Sequence, residues 1–179
     1  MTSWTEFLVR HGATLDGDAV TRFSAPEEEL AAARDAAVVC DLTPLAAMRI
    51  AGPDAAAFLQ GQLTSDVAAL TAGTAQYSAW CSPKGRMLAN FILLRTEATT
   101  FELLLPLSMI AAVRKRLTMF VLRSKVTIED RSGEGVRIGV GGPTAVAALR
   151  SASIDAPARF QIGTLNGAGD LYPQTGGLH

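Results

Sequence analysis

The chain has 179 residues, a formal net charge of −1 and an apolar fraction of 49%, enough for one domain or for one domain and part of a second. This composition argues against intrinsic disorder, and no apolar run approaches the roughly 18 residues of a membrane span. The N-terminus lacks the basic and apolar segments of a secretory signal. With Cys40, Cys81 and two histidines there is no zinc-ligand spacing, so we expect a metal-free cytoplasmic protein in a reducing compartment.

The first half of the chain predicts helices that alternate with short apolar strands. A helix is expected over 26–34, with Ser24 as its N-cap, and strands over 37–40 and 47–50. Gly52-Pro53 then opens a second helix, with Pro53 at its first position.

The second half predicts a hairpin, because two apolar runs flank a turn with proline and glycine where a type I turn favours them. Its strands are expected over 76–81 and 86–95, and its turn over 82–85. A helix over 107–117 is expected to bury Leu107 with three other apolar residues. Further strands are predicted over 100–105, 125–129 and 136–140. These elements indicate an α+β fold with a mainly antiparallel sheet.

One internal similarity bears on domain organisation. From the glycine onward, residues 49–59 resemble residues 140–149, since each is a strand, a Gly-Pro step and an alanine-rich helix. Residues shared by many helix starts can produce this likeness. The other interpretation is one lobe over 1–131 and a second, related lobe that begins at 132 and is incomplete by 179. The glycine-rich tail over 166–179 is expected to be poorly ordered.

The segment from Gln60 to Asp66 is the first candidate site. Gln60, Gln62, Thr64 and Asp66 supply amides, a hydroxyl and a carboxylate, which can pair with the edge of a pterin or purine. The alternative is a helix C-terminus whose polar side chains bind their own backbone.

Lys84 and Arg86 flank the predicted turn and form the second candidate. They suit a carboxylate or phosphate, or they are simply the solvated tip of a hairpin. Cys81 stands beside them without a nearby histidine, so a cysteine nucleophile has little support.

The basic patch over 114–125 is the third candidate. Residues 84–131 hold nine basic and four acidic groups, whereas residues 1–83 hold four basic and ten acidic groups. The patch can bind RNA phosphates, or it can be an ordinary solvated helix face.

The chain resembles the YgfZ-type folate-binding proteins, which are relatives of the glycine-cleavage T-protein, an aminomethyltransferase. The resemblance covers about residues 35–150. It is carried by Asp41-Leu42-Thr43, Arg49-Ile50-x-Gly52, Phe58-Leu59-Gln60-Gly61-Gln62-Leu63-Thr64-Ser65-Asp66-Val67, Trp80-Cys81-Ser82-Pro83-Lys84-Gly85-Arg86 and Phe120-Val121-Leu122-Arg123-Ser124-Lys125-Val126.

This resemblance implies ferredoxin-like lobes that bind tetrahydrofolate. It also implies a role in the assembly or maintenance of iron–sulfur enzymes, including those that modify tRNA, with such enzymes as partners. The residues implied to contact folate are Leu45, Gln60, Gln62, Thr64, Asp66, Lys84 and Arg86.

Two departures from the family bear on activity. The T-protein relatives carry paired aspartates where this chain has Ala89 and Asn90, and neither can act as a carboxylate base. The Lys-Gly-Cys-Tyr-x-Gly-Gln-Glu signature of YgfZ-type proteins is absent from the 179 residues. We therefore expect a folate-binding protein with no catalytic residues, and aminomethyl transfer or an RNA-interacting domain as alternatives. An incomplete second lobe is expected to leave apolar surface and cause self-association.

Overall fold

A computed structural model describes residues 3–17, 19–164 and 170–171. The helices are α1 (Trp4–Arg10), α2 (Pro26–Asp35), α3 (Ala55–Gln60), α4 (Leu107–Thr118) and α5 (Ala145–Ser151). The strands are β1 (Thr14–Asp16), β2 (Ala19–Arg22), β3 (Val38–Asp41), β4 (Leu45–Ala51), β5 (Thr74–Cys81), β6 (Met87–Glu97), β7 (Thr100–Pro106), β8 (Thr127–Asp130), β9 (Ile138–Gly141), β10 (Gly163–Thr164) and β11 (Asp170–Leu171). The predicted disorder over 166–179 lies outside the described residues, except at β11.

The chain forms two compact units. The described residues of Met1–Pro44 and Gly135–Ala156 form unit 1, and those of Leu45–Glu134 and Pro157–His179 form unit 2. The predicted boundary between lobes at residue 132 stays a prediction.

Unit 2 contains a five-stranded sheet in the order β5-β6-β7-β4-β8, and unit 1 contains the two-stranded sheets β1-β2 and β3-β9. Every pair of neighbouring strands is antiparallel. The predicted α+β class with a mainly antiparallel sheet is therefore confirmed.

One face of the five-stranded sheet carries the main core of unit 2. Alternate residues of each strand point to this face, where α3 and α4 cover them. Its fully buried side chains include Met48, Ile50, Leu59, Leu93, Phe101, Leu103, Ile110 and Leu117. We call the opposite face of this sheet the second face, and a smaller cluster of Ala47, Leu94 and Leu104 with Ile162 covers part of it.

The predicted hairpin is present. β5 pairs with β6, and the turn closes where the Gly85 N–H donates to the Ser82 carbonyl at 2.8 Å. Gly85 has a φ of 76°, which a side chain would disfavour. The pairing shifts register between Trp80 and Cys81, a bulge at the root of the turn.

Three local predictions about helices are wrong. The N-cap of α2 is Ala25, and the Ser24 hydroxyl donates to the Ala25 carbonyl at 3.5 Å instead of accepting from the helix, while the N–H groups of Phe23 and Ser24 donate to the Glu29 carboxylate. Pro53 precedes α3, which has Asp54 as its N-cap. Leu107 is the first residue of α4 and remains 49% exposed, although Ile110, Val113 and Leu117 are buried as expected.

Unit 1 is anchored by hydrogen bonds across its elements. Ser3 and Glu6 form a capping box at the start of α1, and the Trp4 indole N–H donates to Asp41 at 3.0 Å.

None of the described helices combines the length and apolar content that a membrane crossing requires.

Candidate functional site

The polar segment 60–66 lies against β5 and extends the sheet beyond it. Leu63 forms a bridge with Trp80, and the Thr64 N–H donates to the Ala79 carbonyl at 3.0 Å. One residue further on, the Ser65 hydroxyl donates to the Ser78 hydroxyl at 2.7 Å. The segment is therefore held in antiparallel register with β5.

Three of the four polar side chains singled out in this segment bind backbone groups nearby. The Gln60 amide oxygen accepts from the Ala68 N–H at 2.8 Å, and Asp66 Oδ1 accepts from the Ala69 N–H at 3.1 Å. Thr64 Oγ1 accepts from the Ala79 N–H at 3.1 Å. These bonds support the alternative in which the segment stabilises its own loop.

Gln62 differs from the other three. In the described part of the chain its half-buried side chain has no hydrogen-bond partner. Gln62 lies in the turn after α3, and its neighbour Leu63 forms the bridge to Trp80, so Gln62 lies at the outer edge of β5. Gln62 thus has a free amide beside the outer edge of β5.

The second face also carries an exposed aromatic side chain, Tyr77, in the middle of β5. The residue is 53% exposed, and its ring meets the ring of Phe160 edge to face, with centroids 5.6 Å apart. The Arg159 guanidinium lies 4.9 Å from the centroid of Phe160. Sequence analysis missed this cluster. The available signal was the position of Tyr77 in a strand whose Ser78 and Trp80 face the core, which predicts that Tyr77 faces the other way. No residue near Tyr77 in the sequence indicated a contact with Phe160.

Asn90 lies beside Tyr77 on the second face. Asn90 pairs with Ala79, and Tyr77 pairs with Ile92, so the two side chains are diagonal neighbours about 7–8 Å apart. Ala89 is 3% exposed and faces the core. Of the two positions expected to hold carboxylates in catalytic relatives, only position 90 reaches the second face.

Leu45 and the hairpin turn complete the set of predicted residues. Leu45 starts β4 and lies on the same face as Ala47, that is, on the second face. Lys84 and Arg86 are exposed on the hairpin turn, and the described residues offer neither of them a carboxylate partner. The structure thus places Leu45 on the face of Tyr77, with β6 and β7 between their strands, and Gln62 at the outer edge of β5. The two cations lie at the turn of the hairpin that β5 and β6 form.

A separate polar cavity of about 520 Å³ opens within unit 2. Arg49 Nη2 lies 3.0 Å from Glu102 Oε1, and this hydrogen bond raises the pKa of the Arg49 guanidinium. Glu97 and Glu129 add two carboxylates to the lining. In the described part of the chain no three acidic, histidine or cysteine side chains converge as metal ligands. The cavity contains none of the predicted folate-contacting residues.

Comparison with known proteins identifies the fold and family. The family model of the GCVT N-terminal domain matches residues 10–166. The fold resembles a crystal structure of glycine cleavage system aminomethyltransferase T from Bartonella henselae, with a TM-score of 0.77 and 22% identity over 88% of this chain and 45% of that one.

Curated relatives carry two different names. An aminomethyltransferase of Exiguobacterium sibiricum is 30% identical over 128 residues, which is 72% of this chain and 35% of the relative. The tRNA-modifying protein YgfZ of an Enterobacter species is 35% identical over 132 residues, or 74% of this chain and 40% of the relative. The chain thus spans between a third and a half of the length of these proteins. The resemblance inferred from the motifs is confirmed, and the chain belongs to the GCVT N-terminal domain family.

Proposed function

We propose that this chain is a tetrahydrofolate-binding module that does not transfer an aminomethyl group. The protein would act in the cytoplasm in the assembly or maintenance of iron–sulfur enzymes, including those that modify tRNA. Support for this role comes from the motif resemblance to YgfZ-type proteins and from the relative named as a tRNA-modifying protein.

The observation that carries the proposal is the side-chain set on the second face and at the outer edge of β5. A pterin is a flat conjugated ring with donors and acceptors along one edge, so it needs an aromatic or apolar surface and a few polar groups. Tyr77 and Leu45 offer the surface, while Gln62 and Asn90 offer amides that both donate and accept. Lys84 and Arg86 at the hairpin turn suit the carboxylates of the folate tail.

The absence of a base at position 90 supports a non-catalytic role. A carboxylate at this place could accept a proton, whereas the Asn90 amide can only donate and accept hydrogen bonds. The core-facing Ala89 offers no substitute. The residues proposed to bind tetrahydrofolate are therefore present without a base for proton transfer at position 90, and we expect binding without catalysis.

Calorimetric titration of the protein with tetrahydrofolate tests the proposal. We expect Tyr77→Ala and Gln62→Ala each to weaken binding by about tenfold, because each loses a contact of about 1–3 kcal/mol in a partly desolvated site. Tyr77→Phe keeps the ring and should bind nearly as the wild type does. Phe7→Ala, at an aromatic residue of similar exposure in unit 1, is the matched control.

Two results would contradict the proposal. Tetrahydrofolate affinity that is equal in the wild type, Tyr77→Ala and Gln62→Ala removes the second face as the site. Turnover by the wild type in a folate-dependent aminomethyl transfer assay refutes the non-catalytic role and favours the aminomethyltransferase alternative.

A further inference from the structure

A cationic surface at the end of α4 is not used by the folate proposal. Five exposed cations lie within twelve residues: Arg114, Lys115, Arg116, Arg123 and Lys125. Among the described residues none of the five forms an ion pair, although Arg114 interacts electrostatically with Asp130 and donates to the Ile128 carbonyl at 3.3 Å. The dipole of α4 accounts for cations in its last turn, but Arg123 and Lys125 lie beyond the helix.

Trp80 holds a cation and an aromatic ring side by side at this surface. The Arg116 guanidinium lies 5.5 Å from the Trp80 centroid, and the Phe120 ring meets Trp80 edge to face at 6.4 Å. Trp80 itself is 5% exposed, whereas Phe120 is 46% exposed. The buried indole of Trp80 therefore positions the Arg116 guanidinium and the Phe120 ring, and each of these two exposed residues keeps one side toward solvent.

The backbone that carries Phe120 is fixed by its own hydrogen bonds. The N–H of Phe120 donates to the Leu117 carbonyl at 2.9 Å, and the N–H of Ser124 donates to the Val121 carbonyl at 2.7 Å. Between them Leu122 has a φ of 43° and is 88% exposed. A leucine held in the left-handed region is strained, and such strain is concentrated at functional segments.

The hairpin cations Lys84 and Arg86, which the folate proposal uses, lie at the same end of β5 as Trp80. Trp80 is four residues from Lys84, so Lys84 lies within about 13 Å of it along the strand direction. Arg86 follows on the other side of the turn. Lys125 lies at the other end of the sheet, because its N–H donates to Asp54, which follows the Ala51 end of β4, at 2.7 Å.

We propose that this surface binds single-stranded nucleic acid, with backbone phosphates on Arg116, Arg123 and Lys115 and a base stacked on the exposed side of Phe120. Single strands are bound without sequence preference by cationic grooves that carry aromatic side chains. An acidic protein is the competing occupant, because arginine and aromatic side chains are enriched in protein–protein interfaces although lysine is depleted there. Acidic protein binding is kept as an outcome of the test.

The experiment measures fluorescence anisotropy of labelled oligouridylate and oligothymidylate with the complete chain over a range of salt concentrations. Each phosphate that is neutralised contributes about −0.7 to the slope of log K against log salt. We expect Arg116→Gln and Arg123→Gln each to reduce the slope by about that amount, whereas Arg10→Gln in unit 1 should not change it. The ratio of the two affinities shows whether RNA or DNA is preferred.

Variants at Phe120 test stacking separately from charge. Phe120→Leu preserves an apolar contact with Trp80 but removes the ring, so we expect about tenfold weaker binding with an unchanged salt slope. Phe120→Trp should retain affinity, and Phe7→Ala is the control for loss of an exposed ring. Folding of each variant is checked by its melting temperature.

Three outcomes would overturn the proposal. One is a salt slope that is the same in the wild type and both arginine variants. Another is equal affinity for the oligomers and for a duplex of the same length, since paired bases cannot stack on Phe120. The third is tighter binding of polyglutamate than of either oligomer, which would assign the surface to an acidic protein.

Discussion

In the segment 60–66, the side-chain atoms that could bind a ligand are the same atoms that can form hydrogen bonds within the protein. Asp66 accepts a hydrogen bond from the Ala69 N–H, although it is exposed and retains free lone pairs. Gln62 makes no such bond in the described part of the chain. Asp66 and Gln62 were equivalent candidates in the sequence, and the structure distinguishes them by this hydrogen bond.

Asp66→Ala is expected to lower the free energy of unfolding by about 0.5–1.5 kcal/mol, because the Ala69 N–H loses its partner. Urea denaturation measures this change. Asp66→Asn keeps an acceptor oxygen and should remain close to the wild type. An unfolding free energy unchanged in Asp66→Ala would show that the bond contributes nothing.

The same variant also examines the predicted contact of Asp66 with folate. If tetrahydrofolate affinity per folded molecule is unchanged in Asp66→Ala, the carboxylate acts only within its loop. If affinity falls by about tenfold, the carboxylate serves both roles.

At the level of secondary structure, the two similar segments of the sequence have similar geometry. β4 leads through Gly52 into α3, and β9 leads through Gly142 into α5. A Cβ at Gly52 would lie 2.1 Å from the Lys125 carbonyl oxygen, and one at Gly142 would lie 2.2 Å from the Ala36 carbonyl oxygen. Both glycines have positive φ, 139° and 97°. Each therefore permits a neighbouring segment to pass directly against the start of its helix.

Gly52→Ala and Gly142→Ala are expected to destabilise the protein by about 2 kcal/mol or more, through both overlap and strained φ. Gly133→Ala is the control, since a Cβ at this position would meet no atom within 4 Å and the φ of Gly133 is not positive. Hydrogen exchange should show protection lost in unit 2 for Gly52→Ala and in unit 1 for Gly142→Ala. Equal stability of all three variants would contradict this.

Local signals were sufficient to predict much of the fold, and the failures have physical causes. The hairpin at 82–85 depends on turn residues that are adjacent in sequence, so it was predictable. Ser24 was misassigned as the N-cap, which is Ala25, and the bond of its N–H to Glu29, five residues away, was not predicted. Phe160 contacts Tyr77 across more than eighty residues, and no periodicity encodes such a contact. The aromatic contact on the second face could therefore be identified only from the structure.

For the whole molecule, the exposed apolar side chains of unit 1 bear on its association. Val39 and Val140 are paired across β3 and β9, yet they remain 63% and 36% exposed. Within the described residues this sheet has two strands, and both of its outer edges are unpaired. Small sheets of this kind are marginal alone and prone to pair with other chains.

Self-association is accordingly expected to depend on this sheet. Light scattering of the wild type should show an average mass that rises with concentration. The double variant Val39→Thr, Val140→Thr preserves strand propensity and should reduce the rise. Leu30→Gln removes an isolated apolar side chain that is 72% exposed and should have little effect. A wild-type mass equal to that of the monomer at all concentrations would refute the expectation.

The pairing of β3 with β9 also means that, during synthesis, β3 is made well before the strand with which it pairs. The thiol of Cys40 meets the carbonyl of Gly139 across a separation of 99 residues. At 5–20 residues per second, the ribosome needs about 5–20 s to deliver the second strand after the first. The residues of β4 to β8 emerge within that interval and can fold first. Until β9 emerges, β3 has no partner strand, and a chaperone that holds extended apolar segments would have those seconds in which to bind it.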